Sequence, residues 1–199
     1  MEVYSTLEKM LSYINSPIQY ILKTENDFIK MNDLIGKEIE IHFTGKKYCS
    51  SCQLEFKDLY RMGFCRNCFF TKPEAGESII RPELSTAHKD IADRDLEFEK
   101  GFQLQPHIVY LANSGGLKVG VTRAIQKTTR WTDQGATEAV VLAETSNRYE
   151  AGQIEVFLKN HVADKTVWQK MLKNENSDVD LIQEKANMAD LLDEQYKGF

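Results

Sequence analysis

The sequence lacks the features that would place a protein in a membrane or outside the cell. It contains no apolar run long enough to cross a bilayer. Its N-terminus has no basic leader followed by an apolar block and a small-residue cleavage site, so it does not read as a secretory signal. Internal repeats and low-complexity tracts are also lacking. We therefore predict a soluble, cytoplasmic protein with no membrane partner.

The chain also lacks the net positive charge of a protein that coats nucleic acid, because its formal net charge is -5. The charge is segregated, however. Every ionisable side chain between residues 118 and 130 is basic, whereas acidic side chains dominate residues 175–194. A local basic patch on an acidic protein is compatible with phosphate binding. Two solvated helix faces would give the same composition.

The length of 199 residues is enough for one or two domains with a real core. The order of the patterns predicts an α+β protein. We predict a β-rich module with a zinc ribbon over residues 1–73, an acidic connector over 74–105, a small mixed sheet flanked by helices over 106–173, and a helical tail over 174–199. The tail ends without an evident cap, which leaves open whether the natural chain extends past Phe199.

Four cysteines form two matched C-x-x-C pairs separated by twelve residues: Cys49 with Cys52, and Cys65 with Cys68. Each pair places two thiolates on one side of a tight loop, and together they supply the four soft ligands of a tetrahedral Zn²⁺ site. An ion held by four thiolates has no open coordination position, so we predict a structural zinc. Disulfides and reduced free thiols are the alternatives, and the missing secretory signal disfavours disulfides.

Two alternating segments lie on either side of the cysteines. Residues 38–43 alternate polar and apolar side chains, which predicts a strand leading into the zinc ribbon. Asp93, Asp95 and Glu97 alternate within the connector, which we interpret as extended chain. On a strand these carboxylates would share a face and could bind Mg²⁺. A solvated charged face explains the same pattern.

The C-terminal half carries the most informative pattern. Residues 108–111 and 117–121 are typical of strands, and the Asn-Ser-Gly-Gly sequence between them predicts a hairpin loop. The pattern that follows predicts, in order, a helix over 124–134 that ends at Gly135, a buried strand over 137–143, a helix over 148–161 and a short helix around Trp168.

Four side chains on these elements are candidates for one phosphate site. Side chains alternate along strands, so Tyr110 and Lys118 lie together if the two hairpin faces coincide. Gly120 on that face leaves room for the backbone of a ligand. Arg130 would project from the following helix and Glu155 from the next one. A tyrosine, two cations and a carboxylate suit phosphodiester chemistry.

This order of motifs resembles the GIY-YIG nuclease superfamily over residues 106–161. The Ile-Val-Tyr that ends at Tyr110 matches the first motif, and the Lys-Val-Gly that begins at Lys118 matches the second. Arg130 matches the helical arginine, with Arg123 as its rival, and Glu155 matches the metal-binding glutamate. The first motif lacks its glycine, and a lysine stands where the second has a tyrosine.

The resemblance implies roles for these residues. Tyr110 would help to deprotonate the attacking water, its phenol pKa lowered by Lys118 and the metal. Arg130, or Arg123 in its place, would stabilise charge that develops on the phosphate. Glu155 would hold Mg²⁺ or Mn²⁺, which polarises the phosphoryl oxygen and helps the leaving group.

Most of the chain is more similar still to an uncharacterised bacterial family, the domain of unknown function 2797. This second resemblance supports the fold and implies no activity. It is carried by residues 63–65, 81–84, 103–123, 130–136 and 164–166, and by Trp168.

The sequence therefore predicts metal-dependent phosphodiester hydrolysis on DNA or RNA, with a structural zinc site. The alternative is a non-catalytic nucleic-acid-binding protein that retains the fold, which the lysine at position 118 and the basic patch favour. A weaker third hypothesis is an assembly factor that docks a protein partner through the acidic tail and the Trp168 region.

Ordinary structural roles stay open for the same side chains. Tyr110 could simply pack under a helix. Arg130 could pair with Asp133 or Glu138, and a backbone amide could satisfy Glu155.

Overall fold

The fold was analysed in a computed structural model that describes residues 2–25, 27–173, 175 and 177–192. Within these residues the protein is α+β, as predicted, with small antiparallel sheets and several helices. None of the helices in this part of the chain has the length and apolar content needed to cross a bilayer.

The N-terminal region forms a three-stranded antiparallel sheet of β1 (Leu11–Tyr13), β2 (Gln19–Lys23) and β3 (Phe28–Lys30). The strand predicted over residues 38–43 is wrong, because this segment has no regular secondary structure and its side chains are exposed. Alternation alone does not make a strand. The segment has no strand partner among the described residues to satisfy its backbone groups.

The four cysteines lie on a small module of β4 (Lys47–Tyr48), β5 (Glu55–Phe56) and α1 (Arg66–Thr71). The turn between β4 and β5 carries the first pair, and the start of α1 carries the second. Gly63 lies before the second pair with a φ of 81°, a left-handed conformation that favours glycine. An added Cβ would also meet the Ser50 hydroxyl at 2.5 Å, so glycine allows the two turns to pack together.

The acidic connector is not extended chain. It folds into short 3-10 turns and α2 (Leu96–Gln103). Asp95 caps α2 by accepting a hydrogen bond from the Phe98 N–H at 3.0 Å, and Glu97 lies inside the helix. The predicted extended chain is therefore wrong here, and Asp93, Asp95 and Glu97 do not align on a strand. Aspartate and glutamate at the start of a helix stabilise it instead.

The C-terminal sheet contains β6 (His107–Asn113), β7 (Leu117–Arg123) and β8 (Glu138–Thr145) in the order β7-β6-β8. The hairpin and all three strands are confirmed. The sheet is not mixed as predicted, because both outer strands pair antiparallel with β6. The segment between β7 and β8 crosses the sheet, so these two strands run in the same direction. They do not touch, because β6 lies between them.

The helices that follow are α3 (Lys127–Asp133), α4 (Arg148–Leu158), α5 (Trp168–Leu172) and α6 (Leu181–Leu191). Tyr110 and Ile108 face α3, where they pack near Trp131. Val109 and Leu111 face the other side of the sheet and form a core with α4 and α6. The alternation along β6 therefore places a helix layer on both faces. The end of the acidic tail, residues 193–199, lies outside the described residues.

Candidate functional site

A cavity of about 150 Å³ lies beside the outer edge of β7. Lys118 and Gly120, on one face of β7, line it together with Val119 and Val121 on the other face. The cavity therefore spans the strand edge and is reached by side chains from both faces of the sheet. Its lining also includes Tyr110, Arg130, Gln134, Arg148, Glu155 and Asp164, with Ile79, Ile80 and Pro82 from the connector.

Tyr110 reaches this edge by crossing Gly120, its partner in the strand register. A Cβ at Gly120 would lie 2.7 Å from the Tyr110 hydroxyl, so the space expected for a ligand is taken by the phenol. The hydroxyl donates to Gln134 Oε1 at 2.8 Å. Burial raises the pKa of Tyr110, although Arg130 acts in the opposite direction. The prediction of a lowered pKa is therefore wrong as far as the protein's own side chains are concerned.

Lys118 shares the face of Tyr110, as the alternation predicted. It lies opposite Ala112 in the register. Its buried ammonium group donates to Gln134 Oε1 and to Thr166 Oγ1, the latter at 2.8 Å. Burial, helped by repulsion from Arg130, lowers the pKa of Lys118 to about 8. A single glutamine oxygen thus joins the tyrosine and the lysine.

Glu155 is buried on α4, and its carboxylate lies 3.4 Å from Lys159 Nζ. The same ammonium lies 3.5 Å from Asp164 Oδ2, so one lysine is shared by two carboxylates. Burial raises the pKa of Glu155, Lys159 lowers it, and Glu83 and Asp164 raise it again. No backbone N–H of the described residues donates to this carboxylate, so the amide-bonded alternative is not observed.

Arg130 lines the cavity from α3, and no carboxylate of the described residues forms an ion pair with it. Asp133, its proposed partner, pairs instead with Lys9 at 2.5 Å. Arg123 does not line the cavity. Its guanidinium lies 5.2 Å from the centre of the Phe102 ring, so the geometry favours Arg130 over its rival.

Three polar cavity residues were missed in the sequence. Gln134 follows α3, and Asp164 lies in the loop after α4. Arg148 begins α4 and donates to carbonyl oxygens of the connector. Gln134 and Asp164 lie within residues 130–136 and 164–166, which carry the family resemblance, but that resemblance implies no role for them. Arg148 lies in no such stretch, and only the packing shows that the three residues meet at one cavity.

The second candidate site is the cysteine cluster. The four Sγ atoms lie within 4.8 Å of one another, and Cys49, Cys65 and Cys68 are buried while Cys52 is exposed. Four sulfurs around one zinc ion would be about 3.8 Å apart, so the donor set fits a metal ion such as zinc. The cysteines are free rather than joined in disulfides.

Backbone amides support these sulfurs. The Cys65 N–H donates to Cys49 Sγ at 3.2 Å, and the Cys68 N–H donates to Cys65 Sγ at 3.4 Å. Burial acts to raise the pKa of Cys49, but N–H donors outweigh it and lower the pKa to about 6. Burial raises the pKa of Cys68 to about 12. The N–H donors that lower the pKa of Cys49 favour its thiolate, which is the form that binds metal.

The fold and sites define an α+β protein with a four-cysteine cluster able to hold a metal ion and a polar cavity at a sheet edge. The chain matches a family described as protein of unknown function (DUF2797) over residues 36–198. It therefore belongs to that family, which confirms the second resemblance. Searches of curated proteins and of solved structures find no significant match.

Proposed function

We propose that the protein hydrolyses phosphodiester bonds of nucleic acid at the β7 edge. The observation that carries this proposal is that Tyr110, Lys118, Arg130 and Glu155 line one cavity although they come from four different elements. Their order along the chain resembles that of the GIY-YIG superfamily, to which we assign residues 106–161, although Lys118 stands where the second motif has a tyrosine. The cysteine cluster would hold a structural zinc.

The charge balance of the cavity supports an anionic ligand. Lys118 and Arg130 have no ion-pair partner among the described residues, and they repel each other, which contributes to the lowered pKa of Lys118. The nearby carboxylates of Glu155 and Asp164 share Lys159 instead. A phosphate group between the two cations would remove their repulsion and satisfy their donors.

The proposed roles follow from these positions. Arg130 and Lys118 bind and orient the phosphate. Tyr110, whose pKa is raised by burial, acts as a neutral phenol and positions the attacking water through its hydroxyl. Glu155 holds Mg²⁺ or Mn²⁺, which supplies Lewis-acid stabilisation of the phosphoryl oxygen when bound.

Incubation of the purified protein with labelled single- and double-stranded DNA and RNA, in Mg²⁺ or Mn²⁺, tests the proposal. Glu155→Gln should lower turnover by about 10²- to 10³-fold, because the metal loses its carboxylate. Glu144→Gln is the matched control, since Glu144 is exposed on β8 and does not line the cavity. Equal cleavage by both variants would disprove the assigned site.

Nucleic-acid binding without turnover is the second candidate. Lys118 occupies the place of the second tyrosine and is held by Gln134 and Thr166, while the Tyr110 phenol is buried. This candidate predicts binding that weakens steeply with salt and no cleavage under any metal condition. Affinity that is independent of ionic strength would argue against it.

A further inference from the structure

Arg148 occupies a costly position that the proposed roles do not explain. Only 6% of it is exposed, and no carboxylate of the described residues forms an ion pair with it. It is the first residue of α4, where the helix dipole disfavours a cation. The pKa of Arg148 is lowered to about 10, because burial, together with repulsion from Arg123 and Arg130, outweighs the attraction of Glu155 and Glu83. A buried charge normally has a partner of opposite charge.

The contacts of Arg148 fix its guanidinium plane. Nε donates to the Ser78 carbonyl oxygen at 3.0 Å, and Nη2 donates to the Ile79 carbonyl oxygen at 2.7 Å. Its Cζ lies 5.0 Å from the centre of the Phe102 ring. Among the described residues, no acceptor contacts Nη1. The two connector carbonyls therefore orient the group without forming an ion pair with it.

The placement on α4 directs Arg148 to the cavity. Arg148 and Glu155 are seven residues apart, which is two helical turns, so they share one face of the helix. Both line the cavity. If Arg148 served only to bridge the two carbonyl oxygens, neutral hydrogen-bond donors would be enough. That role would also leave the excess of positive charge around the cavity unexplained.

We propose that Arg148 is a phosphate-binding residue of the cavity, held in place by the connector carbonyls of Ser78 and Ile79. It acts with Arg130 and Lys118 on one phosphate group. The inference depends on the proposed function in one respect, which is that the phosphate group belongs to a nucleic acid and not to free phosphate or a mononucleotide. The site is thus completed from outside the GIY-YIG-like module, because the connector positions one of its cations.

Binding of inorganic phosphate to the metal-loaded full chain, measured by calorimetry, tests the inference. Arg148→Met should bind phosphate at least about tenfold more weakly, since it loses a charge-assisted hydrogen bond. Arg123→Met is the matched control and should stay within about twofold. This variant removes the other arginine that contacts the Phe102 ring, and Arg123 does not line the cavity.

Arg148→Lys covers the case in which the methionine variant does not fold. Lysine keeps the charge but lacks the fork that reaches two carbonyls and a phosphate at once, so affinity should fall by about three- to tenfold. A short oligonucleotide adds a measurement that a purely structural role would not change. The slope of log affinity against log salt should decrease by about one in Arg148→Met.

The outcomes separate the two proposals. Unchanged phosphate affinity in a folded Arg148 variant, or equal losses in the Arg148 and Arg123 variants, would overturn the role of Arg148 even if the wild type cleaves nucleic acid. Arg148-dependent phosphate binding without any binding or cleavage of nucleic acid would instead support the cavity and refute the proposed function.

Discussion

The cysteine module and the β7-edge cavity are built in different ways. All four cysteines lie within residues 49–68, on two turns whose spacing already brings the sulfurs together. The cavity draws its lining from residues 79 to 164, which lie on two strands, two helices and the segments around them. A local motif can therefore be read from spacing, whereas the cavity depends on how distant elements pack.

The two regions also differ in what holds them together. The cysteine module has two strands of two residues each, a short helix and a small apolar cluster around Phe64 and Phe69. Elements this short are not stable alone. The cavity walls rest on a sheet whose central strand is buried along its whole length. Folding of the cysteine module should therefore depend on bound metal, whereas folding of the cavity walls should not.

Metal removal should separate the regions most strongly. Chelation, or Cys65→Ser, should remove a contribution on the order of 10 kcal/mol from the cysteine module. Hydrogen exchange should then show lost protection around the cysteines and retained protection in β6. Ser51→Ala, which changes the same loop without removing a thiol, should keep its metal. Undiminished protection of both regions after complete chelation would refute this difference.

Glu155→Gln should have opposite effects on turnover and on stability. The pKa of Glu155 is raised, so the stabilisation from its protonated form is present below its ordinary pKa and is lost as the pH rises through the raised value. At neutral pH the buried carboxylate therefore costs stability, and glutamine removes this cost. Urea unfolding without divalent metal should show a stability gain for the variant that grows from pH 4 to pH 7. A pH-independent difference would contradict the burial argument.

Gly152→Ala should test the contact between the connector and α4. An added Cβ would lie 2.3 Å from the Glu83 nitrogen, so the connector must move and stability should fall by about 1–3 kcal/mol. Gly101→Ala in α2 is the matched control. Its Cβ meets nothing within 4 Å, and stability should rise by about 0.5–1 kcal/mol. Denaturant unfolding measures both, and equal effects would show that the contact does not matter.

The smallest expected effect concerns the charge of Lys118. Its pKa of about 8 means that the group is cationic below pH 8 and neutral above it. Oligonucleotide binding at constant ionic strength should therefore weaken by up to about tenfold between pH 7 and pH 9. Lys118→Met should bind weakly and show a flatter profile. An unchanged pH profile in the variant would assign the titration to another group.

Much of the local structure was predictable. Periodicity predicted β6, β7, β8 and α4, and the residues Gly115 and Gly116 have the positive φ values that the hairpin loop needs. The strand predicted over residues 38–43 was wrong, because a strand forms only where a second segment supplies hydrogen bonds, and no such partner lies beside it in the described part of the chain. The extended connector was wrong for another reason, because Asp95 caps α2 and Glu97 lies inside that helix. The exposed side chains of Asp93, Asp95 and Glu97 agree with the solvated charged face.

By itself, the sequence determined the cysteine cluster, the hairpin, the helices of the C-terminal half and the candidate set Tyr110, Lys118, Arg130 and Glu155. These features follow from spacings of a few residues, over which backbone geometry is regular. Only the tertiary structure decided that Gly120 makes room for the Tyr110 ring and that Gln134 joins Tyr110 to Lys118. It also decided that Arg148 lies beside the cavity. These contacts depend on strand register and on the packing of α4 against the connector, and no local pattern encodes them.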